Sequence, residues 1–116
     1  MIYELQNIVI FLKESKFISI ANNLPRLSLF DRKRYLLLRI AGININGQCK
    51  ICGSLTIRPI GAIQNICIGN KTFINTEVRF GCKDKITIGS NVLIGPRVSF
   101  ETVSHSLSYT VNKGRN

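Results

Sequence analysis

Beside six carboxylates, the side chains of this 116-residue chain best suited to nucleophile, acid–base or metal chemistry are one histidine, His105, and four cysteines, Cys49, Cys52, Cys67 and Cys82. Cys49-x-x-Cys52 has the spacing of half a zinc site, because two thiolates that close can reach one tetrahedral ion. The other half is missing, since Cys67 and Cys82 each stand alone. A closed structural site usually draws on two close pairs, so the thiols read as reduced packing residues and no metal is expected. No motif marks an activated serine or cysteine nucleophile. A lone histidine is more often structural than catalytic, so any role for His105 depends on the pattern around it.

That pattern is a spacing of six. A large apolar residue returns at Ile68, Ile74 and Phe80, and again at Ile88, Ile94 and Phe100. Glycine follows four of these six, at Gly69, Gly81, Gly89 and Gly95. Small or β-branched residues stand four places after most of them, at Thr72, Val78, Val92, Val98 and Ser104. Neither a helix nor a strand has this period. It is the hexapeptide repeat of a parallel β-helix, in which three short strands close one coil and a residue stacks on the one about 18 positions later. The step from Ile68 to Ile88 is 20, which places a two-residue bulge around Lys83-Asp84-Lys85. Ile45, Ile51 and Ile57 already keep the period, and Cys49 takes the small inward position four places after Ile45. The gap of 11 between Ile57 and Ile68 makes Arg58-Pro59-Ile60-Gly61-Ala62 a loop. Asn and Gly recur at the corners, as Asn46-Gly47, Gly69-Asn70 and Gly89-Ser90-Asn91, where a positive φ would suit them. From Ile45 to His105 there is room for about three and a half coils, a stack about 17 Å tall.

Residues 1–42 differ. Ile2, Leu5, Ile8/Val9 and Leu12 have helical spacing, and that helix should end by Asn22-Asn23, ahead of Leu24-Pro25. Ser28 offers an N-cap with Asp31 as capping-box partner. A second helix runs through Leu36-Leu37-Leu38 to Ala41, and Gly42 suits its C-terminus. These helices read as a cap over the open end of the solenoid, with Leu36 to Leu38 covering the first coil. The competing reading is a basic element that docks on membrane surfaces. The division is therefore 1–42 as a helical cap and 43–116 as the β-helix.

Sixteen basic residues against six acidic ones give a net charge of +10, so partners should be anionic: a phosphorylated cofactor, an acidic glycan or a lipid surface. Nucleic acid is disfavoured, because no aromatic residues interleave the basic ones and Trp is absent. No apolar run reaches a membrane span, and no early basic region marks a secretory signal. The cytoplasm is the expected location.

The stretch Asn65-Ile66-Cys67-Ile68-Gly69-Asn70, then Ile86-Thr87-Ile88-Gly89-Ser90-Asn91-Val92-Leu93-Ile94-Gly95-Pro96-Arg97-Val98-Ser99-Phe100 running on through Glu101 to His105, resembles the hexapeptide-repeat O-acetyltransferases. Nearest in pattern are the maltose and galactoside acetyltransferases and their polysaccharide-modifying relatives. The resemblance implies a left-handed parallel β-helix of about three to four coils, a homotrimer, and acetyl-CoA bound between neighbouring subunits. It implies direct transfer to a sugar or glycan hydroxyl, with His105 as general base and a backbone N–H facing the oxyanion. Glu101 and Asp84 are candidates to hold the imidazole tautomer. The acceptor would be met by Asn75 and Glu77, within Phe73-Ile74-Asn75-Thr76-Glu77-Val78.

The chain departs from the family at several points. Glu77 stands where the family often has Asn, Ser106 replaces a common Pro, and the acidic residue expected near Cys82-Lys83 is missing. Relatives continue past a loop like Ser106 to Asn116 into further coils, so the chain reads as C-terminally truncated. The alternative to an acetyltransferase is thus a non-catalytic, trimerising β-helix remnant.

Overall fold

The structure, a computed structural model, describes residues 2–102. The chain opens with α1 (Ile2–Asn22), the single turn α2 (Ser28–Asp31) and α3 (Arg34–Ala41). Nine short strands follow: β1 (Asn44–Ile45), β2 (Lys50–Ile51), β3 (Leu55–Arg58), β4 (Ile66–Ile68), β5 (Phe73–Ile74), β6 (Val78–Gly81), β7 (Ile86–Ile88), β8 (Leu93–Ile94) and β9 (Ser99–Glu101). They form three parallel sheets, β1-β4-β7, β2-β5-β8 and β3-β6-β9. The chain visits the sheets in turn, three times over, in a β-helix-like arrangement.

The register matches the period of six. Ile45, Ile68 and Ile88 pair in the first sheet, Ile51, Ile74 and Ile94 in the second, and Ile57, Phe80 and Phe100 in the third. The first eight of these are buried and Phe100 packs against them, its ring stacked on Phe80 at 5.3 Å. Burying each such side chain stabilises by about 1.5–3 kcal/mol. Coil 1 stacks on coil 2 with a step of 23 residues, and coil 2 on coil 3 with a step of 20. The surplus falls where expected, at Arg58–Ala62 and in the turn between Gly81 and Ile86.

The corners correct one expectation. Positive φ occurs at Gly47 and Asn91, but also at Lys71, Glu77 and Arg97 (62°, 58° and 60°), and not at Gly69 or Gly89. Gly69 is needed for closeness instead: a Cβ there would lie 2.5 Å from the Gly89 carbonyl carbon. The second helix is also not continuous. It breaks at Arg32-Lys33, and α2 has no side-chain N-cap, so the Ser28–Asp31 capping box does not form. Asp31 instead pairs with Arg34 at 2.8 Å. Gly42 ends α3 at φ 137°, as its position suggests. Leu38 is buried and Leu37 packs on the core, while Leu36 faces solvent.

The helices cover the open edge of coil 1, one side chain per strand. The Asn22 amide donates to Leu55 O and accepts from Leu55 N–H, at 2.9 and 3.0 Å, as a neighbouring strand would. The buried Arg34 guanidinium donates to Ile51 O of β2 and to Ala21 O (2.8 Å). Arg39 donates to Ile45 O of β1 (3.0 Å), and the buried Glu14 carboxylate accepts from Gly61 N–H (2.7 Å). No helix among the described residues is long and apolar enough to cross a membrane.

Replacing Arg34 with leucine removes the donor to the Ala21, Leu24, Pro25 and Ile51 carbonyls and breaks the ion pair with Asp31. We expect Arg34→Leu to lower unfolding free energy by about 3 kcal/mol in urea denaturation, with Arg34→Lys restoring only part of it.

Candidate functional site

The structure places two of the expected site residues on one corner. Asn75 and Glu77 lie between β5 and β6 of coil 2. The half-buried Asn75 uses its side-chain oxygen within the turn, accepting from Thr76 N–H at 2.7 Å, while its own N–H donates to Ile94 O of coil 3. Glu77 is exposed, and its carboxylate lies 3.6 Å from Arg97 at the same corner one coil on. Such a surface pair contributes little. His105 lies outside the described residues, so these three are not brought together here.

The candidate imidazole partners lie on β9 and on the turn after β6. The Glu101 carboxylate accepts from Arg79 Nε (2.6 Å) and the Ser99 hydroxyl (2.7 Å) on the outer face of β9. The Ser99 hydroxyl first, and the Arg79 guanidinium second, hold its carboxyl below the usual carboxylate range. Asp84 sits on the exposed turn after β6, where its N–H donates to the Thr102 hydroxyl at 2.9 Å.

Cys49 and Cys82 are buried, and Cys52 and Cys67 are half-buried, all four as free thiols. The Cys49 thiol donates to Gly69 O at 3.2 Å and the Cys82 thiol to Arg58 O at 3.4 Å. Burial pushes the Cys49, Cys52 and Cys82 thiols above their ordinary value, so they stay protonated and weakly nucleophilic at neutral pH. Among the described residues no three His, Cys, Asp or Glu side chains gather as a ligand set.

A groove of about 500 Å³ lies between the helical layer and the first two coils. Arg32 and Lys33 reach it from the α2–α3 junction, Lys50 from coil 1 and Lys71 from coil 2, and no carboxylate lines it. Leu29 and Phe73 supply apolar surface, with Lys50 Nζ 5.8 Å from the Phe73 ring centre. Four cations around an apolar floor suit an organic phosphate or another polyanion. Sequence reasoning missed this groove because its cations come from three separate segments. The signals were the net charge and the Arg32-Lys33-Arg34 run.

No family model, no curated protein and no solved structure matches the chain.

Two outcomes follow. Pyrophosphate binding, measured by calorimetry at low salt, should weaken about tenfold or more in a Lys50→Glu, Lys71→Glu double variant. Unchanged affinity removes the groove as an anion site. The second concerns acid stability. A carboxyl whose folded pKa lies below its unfolded value stabilises above the unfolded pKa, and that contribution fades as pH falls through the folded one. Glu101→Gln should therefore flatten the pH dependence of the urea midpoint below the ordinary carboxylate range and leave its slope near neutrality unchanged.

Proposed function

We propose that this chain is a left-handed parallel β-helix of the hexapeptide-repeat O-acetyltransferase kind, which transfers an acetyl group from acetyl-CoA to a sugar or polysaccharide hydroxyl. The observation that carries this reading is the pairing of the six-residue repeat. Ile68 on Ile88, Ile74 on Ile94 and Phe80 on Phe100 stack in three parallel sheets. The residues that resemble the family are these same repeats and the segment that leads from β9 to His105.

In this reading His105 is neutral near pH 7 and accepts the proton of the acceptor hydroxyl as its oxygen bonds to the thioester carbonyl carbon. The carbon–sulfur bond then breaks, and the imidazolium returns the proton to the departing thiolate. No covalent enzyme intermediate is needed, in keeping with thiols that burial keeps protonated. The cationic groove fits the phosphates of an acyl-CoA in charge and in its apolar floor. A trimer would complete the site between subunits, as the resemblance implies. A CoA donor and reduced thiols favour the cytoplasm.

A second reading has support of its own. The Asn75 side-chain oxygen, inferred from the resemblance to meet the acceptor, already accepts from Thr76 N–H within its own turn. That favours a trimerising β-helix without catalysis.

Acetyl transfer from acetyl-CoA to a panel of sugars, followed by thiol release, separates the two. The enzyme reading expects turnover that falls by about a hundredfold or more in His105→Ala. Background rates for both proteins, with no calorimetric CoA binding, would leave the scaffold reading.

A further inference from the structure

The exposed apolar surface of this protein is concentrated in one place. Among the described residues, every large apolar side chain left exposed lies in the helical layer, except Leu93. The densest part is the first half of α1. Leu5, Ile8, Val9 and Leu12 follow helical i, i+3, i+4, i+7 spacing and are 53–65% exposed, and Ile10 and Phe11 on the neighbouring sides are about half exposed as well. The helical spacing read from the sequence holds, and the structure turns this stripe outward. The side that meets the protein holds Glu14, Ile18 and Ala21, with Phe11 against Gly61. At about 100° per residue the stripe is centred roughly 150° around the axis from that side. An apolar stripe aimed at solvent needs a cover.

Three observations choose that cover. First, the stripe runs into cations: Lys16 continues it and Lys13 flanks it, both exposed. Second, the rest of the layer exposes Arg26, Arg32 and Lys33, while its acids are largely withdrawn. Glu14 is buried on Gly61 and Asp31 pairs with Arg34, which leaves Glu4 as the exposed carboxylate among the described residues of the layer. Third, the apolar seam lasts only about two turns, well short of the three or four heptads that mark a coiled coil with a second copy. A short apolar stripe bordered by lysines, on a 21-residue helix too polar to span a bilayer, has the form of an interfacial anchor.

We propose that the helical layer docks on an anionic lipid bilayer. The Leu5–Ile8–Val9–Leu12 stripe enters the headgroup–acyl boundary, and Lys13 and Lys16 beside it face the lipid phosphates. Each basic residue near an anionic surface adds modestly, and the attraction decays over a Debye length, so salt weakens it. The coils then project away from the membrane. This docking is independent of acetyl transfer.

The test is sedimentation of the full chain with unilamellar vesicles, either pure phosphatidylcholine or mixed with phosphatidylglycerol. The chain lacks Trp, so Ile8→Trp supplies a fluorescent reporter in the stripe. Binding to the anionic vesicles is expected at low salt, at least tenfold tighter than to neutral ones, with a blue shift of the reporter. A Leu5→Glu, Val9→Glu double variant should keep its circular dichroism, because these side chains touch no core, and lose about tenfold or more of the binding. Lys13→Glu, Lys16→Glu should lose the preference for anionic lipid. No binding at low salt would overturn the proposal, as would binding that the Leu5→Glu, Val9→Glu variant retains. So would a wild-type oligomer that the same variant dissolves while vesicle binding is absent, because a second copy would then be the cover.

Discussion

A stack of short parallel strands has a first layer, and that layer exposes a row of backbone polar groups on its outer side. Water or a partner must satisfy them, or the edge will pair with another chain. Here the partners are side chains of the preceding helices. Asn22 imitates a strand beside Leu55, Arg34 reaches Ile51 O, Arg39 reaches Ile45 O, and Glu14 takes Gly61 N–H. The rest of the architecture depends on this edge. The helices pack as they do because Arg34 must sit buried between α1 and β2, held by Ala21 O and Asp31 as well. The coils above can be as short as two residues per strand because the layer beneath them is fixed.

The same constraint explains what was legible in the residues and what was not. The walls were legible because an apolar side chain that points inward recurs with the strand, and inward pointing needs no partner from elsewhere in the chain. Ile45, Ile51 and Ile57 could therefore be aligned with Ile68, Ile74 and Phe80 across a loop. The edge caps were not legible, because a basic or amide residue in a helix looks like ordinary solvated surface until the acceptor 17 or 33 residues away is brought to it. The capping box failed for a related reason: Asp31 turns to the buried Arg34, a stronger partner than the start of a single helical turn. The corners were half legible. Gly and Asn were expected where φ turns positive, and Gly47 and Asn91 fit, yet Lys71, Glu77 and Arg97 carry that backbone too. The coil overdetermines those positions and tolerates roughly 1–2 kcal/mol of local strain at each.

The candidate site shows the same division. A repeat pattern can place a corner but cannot show what its polar atoms already hold. Asn75 and Glu77 sit at one corner as a pair, but each has a local partner. The cationic groove was invisible as a motif because three segments build it. Its chemistry follows from tertiary structure alone: four cations converge on one apolar floor, and none is neutralised by a lining carboxylate.

One property of the stack has a bearing on how such a chain can change. Between the first and second sheets, and between the second and third, the inward residues keep their six-residue spacing in all three coils. Both irregular segments, Arg58–Ala62 and the stretch around Lys83, lie along the remaining vertical edge, from the third sheet back to the first. That edge works as an expansion joint. Extra residues there bulge outward and leave the vertical columns aligned, because loop closure grows only slowly more costly with length. Grafted peptides should be accommodated along this seam, whereas a single residue added at either of the other two would turn every later side chain of that coil out of its column.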